Sequence, residues 1–256
     1  MIGHYIYGHG PERALVLHGW FGDWRVFEHM LPALDASRFS FAFMDYRGYG
    51  QSKAFDGPFD IPSIASDAVA LADHLGWESF DLVGHSMGGK AALQLAVKYS
   101  HRIQKILAIT PVWAGKVPFD EHTLAKFREA VHDVRLREAI IGETAGGREP
   151  AVWARNLAAH SLRVSLPEAF GGYLESWALS DFAADVRGLS IPTRVVVGVH
   201  DSSITREVVS ATWLATLGKA TLDVLPECGH YPMLQTPLAL ARVFESFLLS
   251  DAGEAP

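Results

Sequence analysis

The stretch Leu82–Leu93 reads LVGHSMGGKAAL, and Gly84, Ser86 and Gly88 within it fit the pattern G-x-S-x-G. Glycine on each side of the serine leaves room for a sharp, strained turn between a strand and a helix, where a Cβ would meet the neighbouring chain. Such a turn lifts the Ser86 hydroxyl into a crevice at a helix N-terminus, whose partial positive charge favours a developing anion. A serine hydroxyl is a weak nucleophile, so it needs a histidine to take its proton and a carboxylate to orient that histidine. Asp201, ending TRVVVGVHD, and His230, in LPECGHYP, follow in that order, each beyond an apolar run. The chemistry these types imply is acyl transfer through a covalent serine ester.

The chain has twelve histidines, so a histidine by itself says little. His18, in LHGW, reads as a brace for its loop, and His85 points away from the crevice if Ser86 points into it. His200, beside Asp201, lacks the glycine-bracketed loop that surrounds His230. No carboxylate follows KILAIT, where Thr110, Pro111 and Val112 stand, so Asp201 has little competition as the acid. Asp45 and Arg47 in DYRGYGQS read as loop-fixing charges. Cys228 is the only cysteine; no turn presents its sulfur, no disulfide can form within the chain, and a reducing, cytoplasmic setting fits. No compact ligand cluster such as H-E-x-x-H occurs, so neither metal nor cofactor is expected.

The elements that must position these residues are legible as alternation. Short apolar runs, ALVLHG, FSFAFMD, FDLVG, KILAIT, TRVVVGVHD and ATLDVLP, predict strands buried on both faces. Helical patterns lie between them at Ile61–Leu75, Met87–Tyr99, Thr205–Leu217 and Pro237–Leu249. The expected class is α/β, a mostly parallel sheet flanked by helices. From Val112 to Leu189 the alternation stops, with helical patterns at Glu121–Ile141, Ala151–Leu162 and Pro167–Leu179 and no convincing strand. Residues 112–189 therefore read as an inserted helical cap on a core of 1–111 and 190–256. It opens after KILAIT and closes before TRVVVGVHD, so it should sit over the carboxyl ends of the strands, the edge where open α/β sheets bind ligands. Some of its large aromatic residues, Trp113, Trp153, Phe170, Tyr173 and Trp177, are expected to line a pocket there.

The pieces LHGW, DYRGYGQS, GHSMGG, GVHD and CGHYPMLQTP occur in an order that resembles the α/β-hydrolase superfamily over essentially the whole chain. The resemblance implies Ser86 as nucleophile, Asp201 as orienting acid and His230 as general base. It also implies an oxyanion hole from the main-chain N–H groups of Met87 and Trp20, as in esterases and perhydrolases carrying the same HGW and SMGG pieces. A pocket ringed by Trp20, Phe21, Met87, Trp113 and Tyr231, with Trp177 also expected to bind substrate, suits a small or medium hydrophobic ester or lactone. Haloalkane dehalogenases and epoxide hydrolases of the superfamily carry aspartate where Ser86 stands. Carbon–carbon bond hydrolases carry asparagine before the nucleophile, where this chain has His85. Carbon–carbon bond hydrolysis stays open as an alternative, as do cofactor-free perhydrolases, lyases and hormone-receptor relatives, which keep much of the triad.

A length of 256 residues accommodates one α/β core, and a 49% hydrophobic, 20% charged composition is that of an ordinary globular protein. The net charge of −7, without a dense basic run, argues against a nucleic-acid partner. No apolar window approaches the roughly 18 residues of a membrane span, and no leader pattern opens the chain. A monomer or homodimer acting on a small molecule is expected, with the tail SDAGEAP disordered and without function.

Overall fold

The computed structural model describes residues 1–250; the tail expectation, Ser250 apart, falls on residues outside those described. The chain runs β1 (His4–Gly8), β2 (Glu12–Leu17), a 3-10 helix (Trp24–Ala33), β3 (Phe39–Met44), a short 3-10 turn (Gly50–Ser52), α1 (Ile61–His74), β4 (Phe80–His85), α2 (Met87–Tyr99), a second such turn (Ser100–Arg102) and β5 (Ile103–Ile109). Five helices follow: α3 (Glu121–Glu129), α4 (Val134–Thr144), α5 (Ala151–Val164), α6 (Pro167–Leu179) and α7 (Ala183–Val186). The chain closes with β6 (Thr193–Gly198), α8 (Arg206–Val209) leading into a π-helical turn (Ser210–Leu214), β7 (Ala220–Leu225), α9 (Pro232–Gln235) and α10 (Pro237–Leu248).

The strands form one sheet in the order β1-β3-β2-β4-β5-β6-β7, with β1 antiparallel to β3 and the other pairs parallel. Every residue of β4 is buried, as are most of β2, β3, β5 and β6, which suits parallel strands covered on both faces. The register pairs Leu17 with Gly84 and His85 with Ile109, so the loops carrying Trp20, Ser86 and Thr110 leave the sheet side by side. Helices α3 to α7 all fall between β5 and β6.

Three local features differ from the sequence expectation. The edge strand β1 was not anticipated, because HYIYG is short and none of its residues is fully buried. Where one helix was expected over Glu121–Ile141 there are two, and the break has a cause: the Asp133 carboxylate accepts from the N–H groups of Arg135 and Leu136 and starts α4 afresh. The helix expected over Thr205–Leu217 carries the π turn, which displaces its side chains from regular helical spacing. Among the described residues no helix is long and apolar enough to cross a membrane.

Candidate active site

Ser86 lies between β4 and α2 with φ 53° and ψ −115°, a conformation rare for any residue with a side chain. The glycines permit it. A Cβ on Gly84 would sit 2.4 Å from the Gly88 carbonyl oxygen, and one on Gly88 would sit 2.5 Å from that of Leu17. The turn is held at both ends, since Ser86 N–H donates to Ile109 O (2.9 Å) and Ser86 O accepts from Val112 N–H (3.0 Å).

The histidine and the acid reach it from two other loops. Ser86 Oγ donates to His230 Nε2 at 2.9 Å, and His230 Nδ1–H donates to Asp201 Oδ2 at 2.6 Å. Asp201 Oδ1 accepts from the N–H groups of Ser203 and Ile204 (2.8 and 3.0 Å), which fixes the carboxylate and leaves its other oxygen for the imidazole. All three side chains are buried but not sealed, with Ser86 9% and His230 8% exposed. The loop around His230 is cradled by Gln235, whose Oε1 accepts from Gly229 and Tyr231 N–H, while His230 N–H donates to Thr144 O on α4.

Trp20 and Met87 flank this chain of bonds. Among the described residues neither main-chain N–H has an acceptor within the protein, which leaves both as free donors beside Ser86. Trp20 is fixed from several sides: its indole Nε1–H donates to Phe170 O (2.8 Å), its ring stacks on Phe170 (centroids 3.9 Å apart), and its carbonyl accepts from Tyr49 OH (3.0 Å). His18 braces the same loop. Its Nδ1–H donates to Gly19 O (2.8 Å), its ring stacks on Tyr46, and burial draws its pKa down to about 4, so it is neutral near pH 7.

A cavity of about 490 Å³ opens above Ser86 and His230. Trp20, Phe21, Trp113, Trp177 and Tyr231 line it, whereas Met87, buried at the start of α2, does not. The other expected aromatics do not. Phe170 is packed behind Trp20, Tyr173 donates its hydroxyl to Arg47 O, and Trp153 borders a separate groove of about 280 Å³. Phe119, Phe127, Ile140, Thr144, Ile204, Val208, Ala211 and Thr212 also line the cavity. Those residues carried no sequence signal beyond being apolar or small, because helices of the insertion and the π turn bring them in. Lys116 at the rim is the one acid or base among the lining residues besides His230.

Two of the three buried cations among the described residues, Lys90 and Arg137, pack against or within the insertion and were also missed. Lys90 on α2 is fully buried and donates to the carbonyls of Gly115, Trp177 and Ser180 (2.9, 2.9 and 2.7 Å), tying α2 to the cavity wall; burial pulls its pKa from 10.5 to about 8, against the opposing pull of Asp181. Arg137 on α4 lies 3.6 Å over the Phe170 ring and bonds Ala130 O, Val131 O, Ser161 Oγ and Ser165 Oγ, with burial drawing its pKa down to about 10. A lysine and an arginine in ordinary helical patterns give no hint of this from sequence.

The remaining candidates lie outside the site. His200 bonds Arg148 and donates its N–H to Cys228 O. Arg47 is paired to Asp67 through both carboxylate oxygens (2.7 and 2.8 Å), and Asp45 accepts from Trp24 and Gln51 N–H, with burial raising its pKa to about 6. Cys228 is buried, and burial pushes its thiol further from the reactive thiolate. Among the described residues no three His, Cys, Asp or Glu side chains converge as metal ligands would.

With that geometry in view, comparison with known proteins assigns the class. The family model for the alpha/beta hydrolase fold matches residues 15–237, and the chain belongs to that family. It is similar to the pimeloyl-[acyl-carrier protein] methyl ester esterase of Nitrosomonas europaea, 25% identical over 252 residues that cover 93% of this chain and 96% of that one. It is also similar to the 3-oxoadipate enol-lactonase 2 of Acinetobacter baylyi, 28% identical over 80% of this chain and 76% of the relative. In fold it matches an esterase from Exiguobacterium antarcticum with a TM-score of 0.88, 19% identity and coverage of 97% and 96%.

Proposed function

We propose that this protein hydrolyses small to medium hydrophobic carboxylic esters or lactones through an acyl-enzyme on Ser86. The observation that carries the reading is the continuous run of hydrogen bonds from Ser86 Oγ through His230 to Asp201, at 2.9 and 2.6 Å, opening into an apolar cavity. Membership of a hydrolase family and similarity to proteins named as esterases and a lactonase support ester hydrolysis as the reaction class.

In this mechanism His230 Nε2 takes the Ser86 proton as Oγ attacks the ester carbonyl. The negative charge that develops on the carbonyl oxygen is met by the N–H groups of Trp20 and Met87, donors oriented before the reaction begins. Asp201 holds the imidazole in the tautomer that presents Nε2 and stabilises the imidazolium. The tetrahedral intermediate collapses, and the alkoxide, or the ring oxygen of a lactone, leaves with the proton from His230. Water, deprotonated by the same imidazole, then attacks the acyl-enzyme and restores Ser86. The helical insertion acts as a cap whose aromatic residues select the acyl group, and Phe21, Trp113, Trp177 and Tyr231 contact substrate.

The test is steady-state hydrolysis of nitrophenyl esters from acetate to decanoate by the wild type and Ser86→Ala. Chain-length-dependent turnover that disappears in the variant is the expected result. A folded wild type that cleaves no ester or lactone, or a variant as active as the wild type, contradicts the proposal.

A further inference from the structure

The main-chain carbonyl of His230 accepts two hydrogen bonds, from His85 Nε2–H at 2.8 Å and from Thr110 Oγ1–H at 3.0 Å. Both donors are buried, with Thr110 0% and His85 3% exposed. Each is tied to the nucleophile's own backbone. His85 precedes Ser86, and Thr110 lies between Ile109 and Val112, the two residues whose main chains bond Ser86. The backbone of Ser86 and that of His230 are thus joined through two short, independent bridges.

The details are those of a held geometry. Thr110 has φ 39°; it and Ser86 are the only non-glycine residues at positive φ among those described. A β-branched residue keeps such a conformation only where its surroundings impose it, and here its N–H is bonded to Val196 O at 2.7 Å. A carbonyl oxygen only accepts, so the His85 proton is on Nε2 and its Nδ1, which has no partner, is bare. A Cβ on Gly19 would come within 2.6 Å of that Nδ1, so the absence of a side chain at Gly19 makes room for the ring. Burial, reinforced by the nearby His230, holds the His85 pKa well below its usual value, and the ring stays a neutral donor while His230, 5.2 Å away between ring centroids, gains and loses its proton.

We propose that His85 and Thr110 are positioning residues for His230, holding its main-chain carbonyl so that its imidazole meets Ser86 Oγ at the distance where the proton transfers. The proposal rests on the assignment of Ser86 as nucleophile and His230 as base. Two donors occupy both lone pairs of one oxygen and fix the tilt of the peptide plane as well as its position. With one removed, the other becomes a pivot. His230 then samples longer separations from Ser86, and proton transfer suffers while substrate contacts do not.

The clean variant is Thr110→Val, which keeps the β-branch and removes only the hydroxyl; Thr110→Ser restores the donor. His85→Leu and His85→Gln form the matching pair, the glutamine amide reaching toward the place of Nε2. On the best nitrophenyl ester, kcat is expected to fall about tenfold in Thr110→Val and at least as far in His85→Leu, with KM changed less than about twofold. Thr110→Ser should return kcat to about half the wild-type value or better, and His85→Gln should recover part of the loss. The acid limb of kcat/KM against pH, which reports the base in the free enzyme, should move in Thr110→Val and return in Thr110→Ser.

Lowered melting temperatures with wild-type kcat and an unmoved acid limb would mean packing alone and overturn the proposal. If His85→Leu does not fold, the threonine pair decides. Wild-type turnover by Ser86→Ala would overturn the nucleophile assignment and this proposal with it, whereas Ser86-dependent turnover that ignores the Thr110 hydroxyl overturns only the proposal.

Discussion

The floor and the roof of the cavity are built from different materials. The floor, at the carboxyl ends of β2, β4, β5, β6 and β7, is a lattice of buried polar groups: Ser86, His230, Asp201, His85, Thr110 and the His18 main chain each bond another part of the chain at 2.6 to 3.0 Å. The roof, from Trp113 to Trp177, meets the cavity with Phe119, Phe127, Ile140 and tryptophan rings, and its buried cations, Lys90 reaching up from α2 and Arg137 within it, face carbonyls rather than carboxylates. Directional bonds hold atoms to within tenths of an ångström, which reaction geometry demands. Apolar surfaces are non-directional and report mainly size. The proposed function thus assigns the reaction to the floor and the choice of molecule to the roof.

The largest effects should come from the floor. Ser86→Ala is expected to lower kcat by about five powers of ten and Asp201→Asn by about four, with little change in KM, measured by steady-state ester hydrolysis. Comparable activity in either variant would break the division at its strongest point.

The floor should also dominate acid stability. His18 is held neutral by burial, with its pKa lowered from 6.5 to about 4. Below pH 6.5 the unfolded chain takes up a proton that the folded chain refuses, so the stability this residue contributes is complete above that pH and is lost as the pH falls toward 4. The shift corresponds to about 3 kcal/mol, and urea unfolding between pH 7 and 4 should show a shallower loss in His18→Gln.

The roof should respond in selectivity. Phe127→Ala enlarges the cavity and should move the preferred acyl chain longer by about two methylenes, each worth up to about 0.8 kcal/mol in kcat/KM, while kcat on acetate stays within about threefold of the wild type. A loss of kcat on every ester would show that the roof takes part in the chemistry.

The smallest effect concerns Lys90. Its three N–H groups serve three carbonyls, and above pH 8 the neutral amine has only two, so wild-type KM for the longer esters should rise about two- to fivefold between pH 7 and 9.5. Lys90→Met should show a raised KM without that pH dependence. Its linkage to stability has the opposite sign. Between about pH 8 and 10.5 the unfolded chain retains a proton the folded chain has released, so this lysine makes stability rise with pH while substrate binding weakens.

Legibility in the sequence divides along the same line. Glycine spacing around Ser86 and the strand-end positions of Asp201 and His230 are local facts, written into a few consecutive residues, and the side chains meet because parallel strands deliver their ends to one edge. The contact between Trp20 and Phe170 spans 150 positions, and the bonds from His85 and Thr110 to His230 span 145 and 120, so no local pattern announces them. Thr110 drew notice only as the place where a carboxylate was missing. The break between α3 and α4 did have a signal, the capping aspartate Asp133, which the continuous helical periodicity obscured.

Whether Ser86 carries the acyl group can be read by quenching the reaction with a nitrophenyl ester in acid within its first turnovers and weighing the peptides. An acyl mass is expected on the peptide containing Ser86, appearing with the nitrophenol burst and decaying as free acid is released. An unmodified Ser86 peptide during rapid turnover, or the acyl mass on another residue, would contradict the proposed mechanism.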